Sequence, residues 1–258
     1  MIESAVGHTT SRWKSFGAIL FESLANEIEI ALKNENKIEQ LWSHETTLVG
    51  LVATGLSRNP RFSTSTVKLE STIKKPGGTK TTEMGRADLI LERMPSEEFD
   101  DCFGLWIEAK RSRSILKKKS QLSATWFGSD GNLNSIRDSL ISQARRDYLR
   151  SSDNMHRVRC NTVEGYHYGA LLFALLDDDS ASELDVIEVL KTGFSLPRLN
   201  VATSRTMEEG SIKGMRIRRR PTVVAAFRLG KEKTGPMLVA SFTIFSELST
   251  SPPDNEES

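Results

Sequence analysis

Three charged side chains interrupt segments that otherwise have the composition of buried strands. Asp88 lies within "ADLILE", and Glu108 and Lys110 close "LWIEAK". Side chains alternate between the two faces of a strand, so Glu108 and Lys110 share one face while Leu105, Ile107 and Ala109 share the other. Asp88 likewise faces away from Ala87, Leu89 and Leu91. If the two strands are neighbours, Asp88, Glu108 and Lys110 converge on one side of a sheet. A buried charge without compensation is costly, and such groups are paired, neutralised or bound to a metal. Two adjacent carboxylates repel, and one pKa rises unless a cation sits between them. A hard divalent ion such as Mg²⁺, which takes oxygen ligands and keeps several waters, answers that need. The alternative is a solvated Glu108–Lys110 pair at the exposed end of a strand, and spacing leaves both readings open.

Two helical segments supply further polar groups. Apolar residues recur at helical spacing from Trp13 to Leu32, and "NENK" separates this helix from a second, expected from Ile38 to Leu56. In the second, Leu41, Leu48, Val49, Val52 and Leu56 form an apolar stripe on which Glu45 also falls. Glu45 either faces inward and requires a partner, or occupies a first turn where the helix dipole favours an acid. A later helix, expected over 134–150, turns Ile136, Leu140 and Ala144 inward and carries Gln143 on or beside that face.

The remaining segments read mainly as strands. "FSTSTVKLESTIKK" is rich in β-branched residues, "KPGGTK" is a turn, and "EMGRADLILERM" and "CFGLWIEAKRS" are the next two strands. A buried strand is expected over 165–176, with further strands near 185–190, 222–229 and 237–246. Three acids at 177–179 read as a turn. With no repeat and no linker, the expectation is a single α/β domain over 1–248. Its recognisable core covers about 38–176, a mixed α/β extension covers 177–248, and a disordered tail covers 249–258, where little is available to bury.

At 258 residues the chain can bury a substantial core, and a net charge of +1 excludes any argument for nucleic acid from the global field. Basic residues cluster locally instead. "KRSRSILKKK" holds six, among them Arg111, Arg113, Lys117, Lys118 and Lys119, and "RIRRR" at 216–220 holds four. The first run adjoins the acidic residues and could track a phosphate backbone, with Trp126 and Phe127, expected in a loop, available to stack on bases. A solvated basic face is the alternative. Cys102 and Cys160 have no zinc or CxxC spacing, the N-terminal segment lacks a signal peptide's apolar stretch, and "YGALLFALL" is about half a bilayer span. A soluble cytoplasmic protein with no membrane partner is expected. GxSxG, Walker and HExxH motifs are missing.

The order of these features resembles the PD-(D/E)XK nuclease superfamily, with its restriction-endonuclease-like fold: a helix with an inward Glu, a β-hairpin ending in Asp, a strand reading Glu-x-Lys, then a helix with an inward Gln. The resemblance covers about residues 38–176. It implies a central mixed β-sheet flanked by helices. It makes Asp88 and Glu108 metal-binding carboxylates, the Ala109 carbonyl a further metal ligand, and Lys110 the catalytic lysine. Glu45 matches the glutamate that many members carry on the first core helix, with Glu70 an alternative. Gln143 and Tyr148 look like the Gln-and-Tyr helix motif of some branches, although four residues separate them rather than three. The proline of the motif's name is replaced by Ala87.

The implied activity is Mg²⁺-dependent phosphodiester hydrolysis, with Mn²⁺ as a substitute and DNA favoured over RNA. The implied setting is bacterial or phage defence, restriction or repair, and a homodimer is the form in which one-site enzymes commonly cut both strands. Two further expectations stand beside it. One is a non-catalytic nucleic-acid-binding or regulatory subunit; the other is a nuclease effector activated by a ligand or partner protein.

Overall fold

The computed structural model describes residues 2–6, 11–35, 42, 44–63, 65–74, 83–93, 104–129, 132–147, 166–195, 222–229 and 235–246. Its centre is the apolar run expected to be a buried strand. Strand β5 (Tyr166–Leu176) is buried from 167 to 176, the pattern of a strand covered on both faces. It pairs in parallel with β4 (Gly104–Arg111) and antiparallel with β7 (Met237–Ser246). The other strands are β1 (Ile2–Val6), β2 (Thr66–Lys74), β3 (Glu83–Glu92) and β6 (Thr222–Arg228). Together they form one seven-stranded mixed sheet in the order β1-β6-β7-β5-β4-β3-β2. Because β7 lies directly against β5, the described strands of the 177–248 extension, β6 and β7, share one sheet with the core.

Helices cover both faces. On one, α1 (Ser11–Glu35) and α2 (Glu45–Arg58) pack against Leu89, Leu105, Ile107, Leu171 and Phe173. Each such apolar side chain, fully buried, contributes about 1.5–3 kcal/mol. Gly55 permits the α1–α2 approach, since an added Cβ would lie 2.8 Å from the Ser23 backbone oxygen. Arg58 Nη1 donates to both carboxylate oxygens of the buried Glu27, at 2.7 and 2.8 Å, tying the two helices together.

The opposite face carries α3 (Gln121–Phe127), α4 (Leu133–Asp138), α5 (140–147) and α6 (Glu183–Ser195). Leu122, Trp126, Leu140, Ile141, Ala144, Val186 and Leu190 pack there on Ala170, Leu172 and Ala174. Gly128 ends α3 at φ 82°, and a Cβ there would come 2.4 Å from Ile136 Cα, so only glycine admits this turn into α4. Among the described residues no helix is long and apolar enough to cross a membrane.

The structure corrects four local expectations. The helix expected from Ile38 is not continuous: His44 is extended (φ −134°, ψ 142°) and a new helix starts at Glu45. The helix expected over 134–150 breaks at Ser139, which is extended; its hydroxyl donates to the Ile136 carbonyl and accepts from Ser142 N, capping α5. The strand expected near 185–190 is helix α6. Ser182 and Asp185 exchange the reciprocal hydrogen bonds of a capping box, and Val186, Ile187, Leu190 and Phe194 form its buried stripe. Finally, Trp126 and Phe127 lie in α3 rather than a loop and are buried. The Trp126 Nε1–H donates to Ser241 Oγ at 2.8 Å, so neither ring is presented to a nucleic acid base.

Candidate active site

The candidate site forms where two strands part. Strands β3 and β4 pair in register from Glu92–Gly104 to Leu89–Ile107, and their pairing ends there. Beyond that point β4 stays paired with β5 as far as Arg111–Phe173. The β3-side edge of β4 therefore lacks ladder partners from Glu108 onward, and carboxylates replace them. Asp88 Oδ2 accepts from Ala109 N at 2.7 Å, and Glu45 Oε2 accepts from Arg111 N at 3.0 Å. A strand residue directs its N–H and C=O to the same side, so the Ala109 carbonyl also faces this opening.

In β4 the alternation expected from sequence holds, whereas in β3 Ala87 packs with Ile90 and Trp106 and not, as expected, with Leu89 and Leu91. Glu108 and Lys110 are in register with Ala170 and Leu172, which belong to the α3–α6 face, whereas Ile107 and Ala109 belong to the α1–α2 face. Glu45 comes from the first turn of α2, on the other side of the sheet, and reaches β4 at its C-terminal end. Both sequence readings of Glu45 thus hold at once: it is a first-turn acid, and it has a cationic partner.

The Lys110 ammonium is the hub. It lies 3.2 Å from Asp147 Oδ2, 3.8 Å from Glu45 Oε1, 3.8 Å from Glu108 Oε2 and 3.9 Å from Asp88 Oδ2. Asp147, on α5, was not singled out in the sequence. The signal was present, because Asp147 follows Leu140 by seven and Ala144 by three and so extends their inward stripe. Gln143 sits one turn earlier, where its Nε2 donates to the Asp138 carbonyl at 2.6 Å, and among the described residues it makes no hydrogen bond to the carboxylates. The Glu70 side chain, Tyr148 and the "RIRRR" run lie outside the described residues.

Four carboxylates around one ammonium leave an excess of acid. Burial, then the neighbouring Asp88, raises the Glu108 pKa to about 9, with Lys110 only partly offsetting them. Burial also raises that of Glu45, with Asp88 adding to it and Lys110 opposing it. Burial alone would lower the Lys110 pKa, but Asp88, Glu45, Glu108 and Asp147 overcome it and raise the value. For Glu108 the folded pKa lies above the unfolded one, so the folded state keeps a proton that the unfolded chain has released. Its stabilising contribution is complete below about pH 4.5 and is lost as pH rises toward about 9. In chelator-treated protein, Glu108→Gln should therefore gain stability relative to wild type between about pH 5 and pH 8.5. Urea midpoints at the two pH values measure this, and parallel changes in both proteins would remove Glu108 as their source.

A hard cation would satisfy the same excess. Asp88 and Glu108 supply oxygen donors from both sides of the splayed strands, and the two carboxyl groups hydrogen-bond each other. That donor set suits Mg²⁺ or Mn²⁺. Among the described residues no group of three or more His, Cys, Asp or Glu side chains is disposed as a ready-made metal cage, and the Lys110 ammonium lies within 3.9 Å of Asp88 and 3.8 Å of Glu108.

The chain matches no family model, no curated protein and no solved structure. A cavity of about 230 Å³ opens beside Glu45 and Asp88, lined also by Thr46, Val49 and Leu69. A second, of about 660 Å³, adjoins the end of β4 at Arg111 and Arg113. Two lysines of the basic run are engaged elsewhere. Lys117 Nζ meets Asp177 Oδ2 at 2.6 Å and Lys119 Nζ meets Asp185 Oδ1 at 3.4 Å, while Lys118 is exposed. The acids at 177–179 serve a turn, in which Asp178 accepts from Lys119 N and from Ser180.

Proposed function

We infer that this protein is a divalent-metal-dependent nuclease of the PD-(D/E)XK type, with a restriction-endonuclease-like core, hydrolysing phosphodiester bonds in DNA in preference to RNA. The observation that carries the reading is the meeting of Asp88, Glu108 and Lys110 where β3 and β4 diverge, with Asp88 held by Ala109 N. Asp88 and Glu108, with the Ala109 carbonyl, are the residues that would hold Mg²⁺. A bound Mg²⁺ supplies Lewis acidity and a water of lowered pKa. Lys110 sets a positive charge beside the reacting phosphate, where it can orient the nucleophile and offset negative charge developing on the phosphate oxygens. Glu45 and Asp147 hold the Lys110 side chain from opposite faces of the sheet, which fixes its ammonium without any further cost of ordering on substrate binding.

Incubation with supercoiled plasmid and end-labelled oligonucleotides under Mg²⁺ or Mn²⁺ tests this. Nicking or shortening that stops on chelation is expected. A protein inert on duplex and single-stranded DNA and RNA with either metal would contradict it. One observation favours a second reading, a non-catalytic nucleic-acid-binding protein: Lys110 already fills the space among the carboxylates. In that case Lys110→Ala would leave nucleic acid affinity unchanged and simply destabilise the fold.

A further inference from the structure

The cavity of about 660 Å³ at the end of β4 is lined by arginines from two separate walls. Arg111 and Arg113 come from the end of β4 and the segment after it, and Arg137 and Arg146 from α4 and α5. Among the described lining residues Asp138 is the one carboxylate and none is aromatic. Two of the arginines are preorganised. The Arg111 guanidinium lies 5.5 Å from the Trp42 ring centroid and its Nη1 donates to the Ser112 carbonyl, while Arg146 Nη1 donates to the Arg137 carbonyl at 2.6 Å. Arg113 and Arg137 are exposed and have no carboxylate partner among the described residues. Four arginines lining one polar cavity suit phosphate oxygens, which guanidinium groups bind through paired hydrogen bonds.

We propose that this cavity holds the sugar-phosphate backbone of the substrate strand immediately beside the cleaved linkage, and recognises it without reading bases. The proposal rests on the nuclease reading for its occupant. Position supports it: Arg111 directly follows Lys110, and α5 supplies both Arg146 to the cavity and Asp147 to the carboxylate cluster. Base-independence follows from the lining. With Trp126 and Phe127 in the core, no aromatic ring among the described lining residues is offered for stacking, and arginines on phosphates carry no sequence information.

Fluorescence anisotropy with labelled oligonucleotides of two unrelated sequences, in chelator so that nothing is cut, tests the proposal. Arg113→Ala and Arg137→Ala should each weaken binding by about tenfold, equally for both sequences, and lower the slope of log K against log salt by about one. Lys117→Ala, whose ammonium is held by Asp177, should change affinity by less than about twofold. Unchanged affinity in both arginine variants, or a loss confined to one sequence, would overturn the proposal. So would a mononucleotide or inorganic pyrophosphate binding as tightly as the oligonucleotide, which would give the cavity to a free ligand. Because no cleavage is read, wild-type binding that depends on Arg113 and Arg137 stands even if hydrolysis is never observed. Conversely, cleavage by wild type with arginine-independent binding sinks this proposal alone.

Discussion

Lys110→Ala is expected to lower metal-dependent cleavage by about 10²–10³-fold under single-turnover conditions, the loss typical of removing one preorganised charge-stabilising group. Binding of the nucleic acid should change far less, because the arginine cavity and not Lys110 supplies most of the phosphate contacts. The substitution also removes the ammonium that lies among Glu45, Asp88, Glu108 and Asp147. The metal-free variant is therefore expected to be destabilised by carboxylate repulsion, and to be stabilised more than wild type by Mn²⁺. Rates must be compared with metal present and folding checked by circular dichroism. Equal rates for wild type and a folded Lys110→Ala protein would remove Lys110 from the chemistry. A loss of rate matched by an equal loss of nucleic acid affinity would give it a binding role only.

The second large effect concerns stability. Trp126 is fully buried in α3 and its indole donates to Ser241 in β7, joining the helix to the sheet beneath it. Trp126→Ala should cost about 3–5 kcal/mol in urea unfolding, from lost burial and a cavity, with the buried Ser241 hydroxyl left without its donor. Trp126→Phe should cost less, since most of the volume is kept. A tryptophan serving to stack on bases would behave differently, with stability within about 0.5 kcal/mol of wild type and a clear loss of nucleic acid affinity. Those two outcomes separate the position described here from the one its place in a basic, Ser-rich stretch suggests.

That contrast shows where the sequence was legible and where it was not. Strand alternation placed Glu108 and Lys110 on one face and Ile107 and Ala109 on the other, because a period of two is enforced by the backbone itself. The continuous apolar run of β5 gave the centre of the sheet for a similar reason. Partnership across the sheet was not encoded so locally. That β3 and β4 separate just at Asp88 and Glu108 depends on long-range pairing, and so does the arrival of Asp147 from α5. Composition misled at Trp126, since a serine- and glycine-bearing stretch reads as a loop while two apolar residues three and four after Ser123 pack inward on a short helix. Around 185–190 the apolar run suggested a strand. The Ser182–Asp185 capping box just before it was the better guide, because it fixes a helix start whatever the β-propensity of the next few residues.

The central claim is that Asp88 and Glu108 together grip a hard divalent ion. Isothermal titration of Mn²⁺ into wild type, Asp88→Asn and Glu108→Gln tests it without requiring the right substrate. Saturable binding tighter than about 1 mM is expected for wild type, with loss of at least about tenfold in each variant and retention in Arg113→Ala, which lies outside the cluster. Mn²⁺ binding that is absent from wild type, or that survives unchanged in both carboxylate variants, would contradict the account.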